Sequence, residues 1–221
     1  MDIFEAIRQR HSVRSYQDKP ISDDVAKALE AFIDQCNSES GLHIQLVRNE
    51  RKAFDSFRAH YGHFSGVSNY IALIGPNNTQ LDEKCGYYGE KVVLEAQRLG
   101  LNTCWVALTY KKVPDAYVVS EGEKLNLVIS LGYGNTQGVQ HKSKTASDVS
   151  NEGPDSPKWF KDGVQAALLA PTAINQQKFY FELENDRVIA KAGLGPCSKI
   201  DLGIVKCHFE IGSGKGPEIW K

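Results

Sequence analysis

Four side chains that can bind an anion lie within five consecutive residues near the start of the chain, Arg10-His11-Ser12-Val13-Arg14. Each guanidinium presents a planar fork of donors and the Ser12 hydroxyl adds another, so the set suits a phosphate. The same residues could instead form a solvated helix end, where cations offset the helix dipole. Both interpretations stay open on these residues alone.

A second polar segment, Ala-Pro-Thr-Ala-Ile-Asn-Gln-Gln, occupies residues 170–177 between a predicted helix and a predicted strand. Pro171 stops the helix, and the amides of Asn175 and Gln177 follow at alternate positions. Amide side chains carry both donors and acceptors, which suits the edge of a heterocycle with mixed C=O and N–H groups. Taken alone, a polar turn is the simpler interpretation.

The sequence contains none of the common motifs of hydrolases or nucleotide-binding proteins. It lacks a nucleophile elbow, an HExxH motif, a phosphate-binding P-loop and a GxGxxG loop. His60 and His63 have no carboxylate at ligand spacing, and the five cysteines form no CxxC pair, so we predict no metal site. Chemistry in this chain is therefore expected to come from a bound cofactor.

Composition excludes several classes of partner. A length of 221 residues and a net charge of −1 favour one compact soluble unit without a broad surface for nucleic acid. No apolar run reaches the roughly 18 to 20 residues of a membrane span, and the chain opens on an acidic amphipathic helix rather than a signal peptide. Unpatterned cysteines indicate reduced thiols. We expect a cytoplasmic protein that contacts neither membrane nor nucleic acid.

Apolar periodicity predicts a mixture of helices and strands, which is the α+β class. Helices are predicted at the N-terminus and over residues 23–34, 53–59, 81–100, 159–170 and 201–211. Strands are predicted over residues 43–47, 70–75, 103–109 and 124–133, with a hairpin at 178–183 and 187–192. The segment 134–158 is almost without apolar residues and is predicted to be a functional loop or a linker.

Two segments follow the same order of helix, loop and strand. Residues 25–47 pass through Cys-Asn-Ser-Glu-Ser-Gly, and residues 163–183 pass through the amide segment. This order suggests an internal partial duplication in which the N-terminal part keeps the basic residues and the C-terminal part keeps the amides.

These motifs together resemble the nitroreductase family of FMN-dependent oxidoreductases. Arg-Gln-Arg-His-Ser-Val-Arg-Ser-Tyr resembles the family's N-terminal Arg-x-Ser-x-Arg/Lys signature, and residues 87–108 resemble its long central helix and following strand. Gly132-Tyr133-Gly134 with the basic residues 141–144 resembles its glycine turn and basic pair, and residues 170–177 resemble its Ala-Pro-Ser-x-x-Asn-x-Gln loop. The resemblance implies a central, mostly antiparallel sheet flanked by helices.

The position of residues 170–177, here called the amide loop, departs from the usual family pattern. Ordinary members carry this loop directly after the second helix and use it for the flavin of the partner subunit. Here the loop lies in the C-terminal region, as in the branch of the family whose C-terminal part is a truncated second copy. The resemblance therefore implies a first half at 1–150 and a second copy at 151–221 within one compact unit. It leaves open a monomer with a site built in cis or a homodimer.

The resemblance assigns a role to each candidate residue. Arg10 and Ser12, with Lys142 or Lys144, are expected to bind the FMN phosphate, and His11 to lie along the ribityl chain. Arg14 is expected near the N1–C2=O edge of the ring, where its charge raises the reduction potential. The remaining candidates are expected to contact the ribityl chain or the ring, and they are Ala107, Leu108, Thr172, Ala173, Asn175 and Gln177.

The implied function is a ping-pong flavin reductase. NADH or NADPH would pass a hydride to FMN, which then reduces an electron-poor small molecule such as a nitroaromatic, a quinone or another flavin. No side chain of the chain is expected to be catalytic, apart from the electrostatic effect of Arg14. Three alternatives stay open: reductive dehalogenation on the same scaffold, an FMN- or phospholigand-binding protein without turnover, and a structural domain without flavin.

Overall fold

A computed structural model describes residues 1–221, which form two compact units. The first, here called the sheet unit, comprises Gln9–Leu81 and Lys91–Val139. The second, here called the hairpin unit, comprises Met1–Arg8, Asp82–Glu90 and Gln140–Lys221. None of the helices combines the length and the apolar composition needed to cross a bilayer.

The sheet unit is built on four antiparallel strands in the order β1-β2-β4-β3. The strands are β1 (Gln45–Val47), β2 (Asn69–Pro76), β3 (Asn102–Val106) and β4 (Glu123–Gly132). Its helices are α2 (Asp23–Ser40), α3 (Phe57–Tyr61) and, from Lys91 onward, the C-terminal part of α4 (Leu81–Arg98). β2 is buried from Asn69 to Gly75, as its uninterrupted apolar run predicts. The predicted α+β class and antiparallel sheet are confirmed.

An aromatic cluster fills one side of the sheet unit. The ring of Phe54 lies 5.2 Å from Phe64, 6.0 Å from Tyr70 and 6.4 Å from Tyr110, measured between centroids. All four residues are buried. Rings at such distances add packing energy beyond the area they bury, so this cluster gives the loops around it a rigid base.

The hairpin unit combines helices with a two-stranded sheet. Its elements are α1 (Ile3–Gln9, to Arg8), the first half of α4, α5 (Ala146–Val149), α6 (Lys158–Ala167), β5 (Phe179–Glu184), β6 (Arg187–Ala192) and α7 (Ser198–Ser213). The rings of Phe160, Phe181 and Trp220 all lie within 5.8 Å of the ring of the buried Phe209 on α7. This aromatic core joins the hairpin to α6 and α7.

Two glycines allow close backbone contact between α7 and the first half of α4. A Cβ at Gly86 would lie 2.0 Å from the Ile200 carbonyl oxygen, and one at Gly203 would lie 2.0 Å from the Glu83 carbonyl oxygen. No side chain fits at either position without moving a helix. The contact is flanked by the buried hydrogen bond, 2.8 Å long, between His208 Nε2 and Glu90 Oε1.

Two predicted helices differ from the structure by four residues or more at one end. The helix predicted over 23–34 continues to Ser40, because Ser40 Oγ donates to the Cys36 carbonyl and the left-handed Gly41 closes the helix. The helix predicted over 53–59 begins only at Phe57. The Ser56 hydroxyl accepts from the Ala59 amide and fixes that start.

Candidate functional site

The basic segment near the N-terminus is extended and lies beside β3. Ser12 pairs in parallel with Thr103, and the Val13 amide donates to the Thr103 carbonyl over 3.0 Å. Val13 is buried in the core, whereas Ser12 and Arg14 are exposed. Since side chains alternate along an extended chain, Ser12 and Arg14 belong to the side opposite Val13.

Three of the predicted site residues, Arg10, Ser12 and Arg14, act on the thiol of Cys104 on β3. Burial raises the pKa of the Cys104 thiol, and this rise is opposed by the Arg14 charge, by a hydrogen bond with Ser12 and by the Arg10 charge. Arg10 is itself buried, with 3% of its surface exposed. The structure therefore brings Arg10, Ser12 and Arg14 together, and we call these three residues the basic cluster.

A glycine turn after β4 supports the backbone of this segment. The Gly134 amide donates to Asn102 Oδ1 over 2.9 Å, and Asn102 Nδ2 donates to Gln137 Oε1 over 3.0 Å. Gly138 has φ +74°, and a Cβ there would lie 2.7 Å from His11 Cβ. His11 thus packs against Gly138, a position where only glycine fits this conformation and this contact.

The structure places Ala107 and Leu108 just beyond the end of β3, which was predicted to extend to residue 109 and stops at Val106. Both residues are exposed, Leu108 with 82% of its surface. They line an open cavity of about 680 Å³ in the sheet unit. This cavity is the part of the sheet unit in which a planar molecule could lie against them.

The predicted amide loop and the predicted basic pair lie together within the hairpin unit. Gln177 Nε2 donates to the Lys142 carbonyl and to Asn175 Oδ1, both over 2.9 Å. Gln177 Oε1 accepts from the Lys144 amide over 2.8 Å, and the Gln177 amide donates to Thr172 Oγ1 over 3.0 Å. Both the NH₂ group and the oxygen of the Gln177 side chain are hydrogen-bonded within the protein. Gln177 therefore joins the amide loop to the loop that contains Lys142 and Lys144.

Asp201, for which no site role was predicted, holds the other side of the amide loop. Its Oδ1 accepts from the Ala173 amide over 2.9 Å, and its Oδ2 accepts from Gln176 Nε2 over 2.7 Å. Burial raises the pKa of the Asp201 carboxyl, and the two hydrogen bonds counteract part of that rise. An acidic residue in the first turn of a helix is common, so the sequence carried no distinctive signal for this role.

Three residues of the amide loop have positive φ angles: Ile174 (48°), Asn175 (54°) and Gln177 (45°). A β-branched residue such as Ile174 rarely adopts this conformation, and Ile174 is also 88% exposed. Such conformations cost about 1–3 kcal/mol each and persist where surrounding contacts enforce them. Here the contacts of Asp201 and Gln177 supply that enforcement.

The candidate residues thus fall into two groups. The sheet unit contains the basic cluster with His11, Ala107 and Leu108. The hairpin unit contains the joined loops with Lys142, Lys144, Thr172, Ala173, Asn175 and Gln177.

A family model described as "Putative TM nitroreductase" matches residues 2–213 of this chain. The chain belongs to this nitroreductase family.

Solved structures of nitroreductases have the same fold. A "putative nitroreductase" from Thermotoga maritima is 22% identical, with a TM-score of 0.69 over 96% of this chain and 83% of that one. One from Desulfovibrio desulfuricans, solved in complex with FMN, is 21% identical, with a TM-score of 0.53 over 71% of this chain and 99% of that one. A family member from Streptococcus pneumoniae is 15% identical, with a TM-score of 0.55 over 69% of this chain and all of that one.

Comparison with curated proteins gives no match. The family match confirms the resemblance that the N-terminal signature, the central helix and the amide loop indicated. The Thermotoga relative covers a larger share of this chain than the other two, which leave about a third of it unmatched. The fold of this chain therefore includes a region beyond the part shared with these two shorter family members.

Proposed function

We propose that this protein is an FMN-dependent oxidoreductase that takes a hydride from NADH or NADPH and passes it to a small electron-poor acceptor. Nitroaromatics, quinones and free flavins are the acceptor classes. The proposal is supported by family membership, by the FMN bound to the Desulfovibrio relative and by the chemistry of the basic cluster.

The basic cluster is the observation that carries the proposal. Two guanidinium groups and a hydroxyl act on the same thiol at β3, and no acidic residue occurs between Arg8 and Gln17. The donor set is therefore cationic and rich in N–H groups, which fits the doubly charged phosphate of FMN. Arg10, being buried, can hold a phosphate oxygen in fixed geometry, and the exposed Ser12 can donate a further hydrogen bond.

Arg14 is suited to a different task. Its guanidinium carbon lies 5.8 Å from the centroid of the Phe64 ring, and its side chain is exposed. Bound FMN would supply the hydride-accepting and hydride-donating chemistry. A fixed positive charge near the ring stabilises the negative charge that the ring gains on reduction, so Arg14 would favour reduction.

The hairpin-unit residues were predicted to contact the same cofactor, and this stays a prediction. Their contacts within the hairpin unit differ. Lys144 Nζ donates to the Gln177 carbonyl over 2.9 Å, whereas the Lys142 side chain is exposed and forms no ion pair. We therefore assign anion binding to Lys142, and we assign Gln177 and Asp201 to positioning the loop.

Steady-state kinetics tests the proposed reaction sequence. With reductant and acceptor varied together, a shared site gives parallel double-reciprocal lines, because the reductant leaves before the acceptor binds. Intersecting lines would contradict the ping-pong sequence. Absence of turnover with NADH, NADPH and all three acceptor classes, in protein that retains FMN, would favour an FMN-binding protein without reductase activity.

A further inference from the structure

The open cavity beside Ala107 and Leu108 has a composition of its own. Its volume of about 680 Å³ lies within the range of small-molecule sites. Besides Ala107 and Leu108, its walls include Phe57, Arg58, Lys111 and Lys112. No aspartate or glutamate lines it.

Three cations lie together at the cavity, Arg58, Lys111 and Lys112. Arg58, Lys111 and Lys112 are exposed, and none of them forms an ion pair. The whole chain has a net charge of −1, so this concentration of positive charge is local. Like charges gathered without counter-ions repel one another, and an anion entering the cavity relieves that repulsion.

The cavity also exposes apolar surface. Phe57 is 85% exposed and Leu108 82% exposed. Tyr110 is buried and forms a fixed wall, since its ring stacks on Phe54 at 6.4 Å with an interplanar angle of 27°. An exposed aromatic ring beside cations suits a ligand that is planar as well as negatively charged.

We infer that this cavity binds a substrate consisting of a planar ring that carries an acidic group. The inference rests on the proposed function, because Ala107 and Leu108 are the residues predicted to lie against the cofactor ring. The inference specifies the charge of the substrate, because the enzyme then selects anionic over neutral ring compounds. Two sources share this chemistry, the phosphorylated pyridine nucleotide that donates the hydride and an aromatic carboxylate that accepts it.

Direct binding tests the inference without relying on turnover. Isothermal titration calorimetry compares 4-nitrobenzoate with the neutral 4-nitrobenzamide, and NADP⁺ with NAD⁺, on the protein as purified with its FMN content recorded. The wild type is expected to bind the more negatively charged member of at least one pair more tightly, and to lose that preference as salt rises from about 10 mM to about 1 M. Equal affinity for both members of both pairs would overturn the inference.

Variants that remove positive charge test whether the preference for the anionic probe arises in this cavity. Each exposed cation contributes a few-fold to affinity, so Lys111→Gln/Lys112→Gln is expected to weaken binding of the anionic probe about tenfold and to leave the neutral probe unchanged. Lys27→Gln/Lys199→Gln removes two exposed lysines elsewhere that form no ion pair, and should bind as the wild type does. Phe57→Ala should weaken both members of a pair alike. Unchanged anion affinity in the Lys111/Lys112 variant would refute the assignment.

The same titrations distinguish the reductant from the acceptor as the bound anion. Together with reduction by NADH or NADPH, they also distinguish failure of the anion cavity from failure of the proposed reductase. A loss confined to 4-nitrobenzoate identifies the acceptor as the anion, and a loss confined to NADP⁺ identifies the reductant. Charge-dependent binding in protein that neither NADH nor NADPH reduces would support the anion cavity while refuting the proposed reductase. Reductase activity with no charge dependence of binding would do the reverse.

Discussion

At the scale of single residues, Arg10 and Arg14 show how burial divides the roles of one motif. They are four residues apart in one extended segment and both contribute positive charge at Cys104. Arg10 is buried, whereas Arg14 is exposed and lies over the Phe64 ring. The sequence predicted the anion-binding chemistry of both from residue type and spacing. It could not predict their different burial, which depends on how the segment packs beside β3.

Arg10→Ala is expected to weaken FMN binding by about ten- to a hundredfold, because a charge-assisted hydrogen bond to an ionised group contributes about 1.5–3 kcal/mol. Arg10→Lys keeps the charge but loses the fork, so it should recover only part of the affinity. Fluorescence titration of the apoprotein with FMN measures the dissociation constants. Arg8→Ala, at an exposed arginine on α1, is the control. An Arg10→Ala variant that binds FMN as tightly as the wild type would refute the phosphate assignment.

Arg14→Ala is expected to lower the two-electron midpoint potential of bound FMN by tens of millivolts, since 30 mV corresponds to about 1.4 kcal/mol. FMN affinity should change much less than in Arg10→Ala. Anaerobic dye equilibration measures the potential. A potential equal to that of the wild type would remove Arg14 from the electrostatic role.

At the scale of elements, the amide loop shows what sequence and tertiary contacts each decide. Pro171 and the polar residues after it predicted a break between helix and strand, and the structure confirms it. The partners of Gln177 and Asp201 could not be predicted, because hydrogen bonds between segments 25 to 35 residues apart depend on the fold. The late start of α3 has a local cause instead, since the Ser56 hydroxyl accepts from the Ala59 amide and fixes the first turn against the apolar pattern.

Asp201 makes stability depend on pH in a predictable direction. Because burial raises its pKa above the ordinary 3.8 in the folded state, the folded protein holds this proton more tightly than the unfolded chain does. The contribution of the carboxyl is therefore fully present below pH 3.8 and is lost as the pH rises through the raised pKa. Urea unfolding between pH 3 and pH 7 should show the wild type losing stability relative to Asp201→Asn. A relative gain of the wild type over that window would contradict the assignment.

The close contact between α4 and α7 predicts a large effect of one methyl group. Gly203→Ala places a Cβ 2.0 Å from the Glu83 carbonyl oxygen, and such overpacking costs about 1–3 kcal/mol or more. Thermal unfolding should show a clear fall in Tm. Gly153→Ala, where a Cβ meets nothing within 4 Å, is the matched control and should unfold near the wild-type temperature. Equal Tm values for the two variants would show that the helices separate freely at Gly203.

At the scale of the whole molecule, the motifs predicted the family because several weak signatures occur in one chain. The basic segment, the central helix, the glycine turn and the amide loop are each weak signals, and they indicated the family in combination. The compact units do not follow a single cut of the chain, since residues 1–8 and 82–90 belong with the C-terminal part. The predicted halves, 1–150 and 151–221, concern a duplication in sequence, and that stays a prediction.

One measurement tests the flavin assignment directly: the absorbance spectrum of the purified protein before and after anaerobic addition of NADH or NADPH. We expect two flavin bands in the near-ultraviolet and blue that disappear on addition of at least one of the two nucleotides and return when an acceptor is added. A protein that shows no flavin bands even after incubation with FMN would contradict the assignment, and the basic cluster would then serve a different anion.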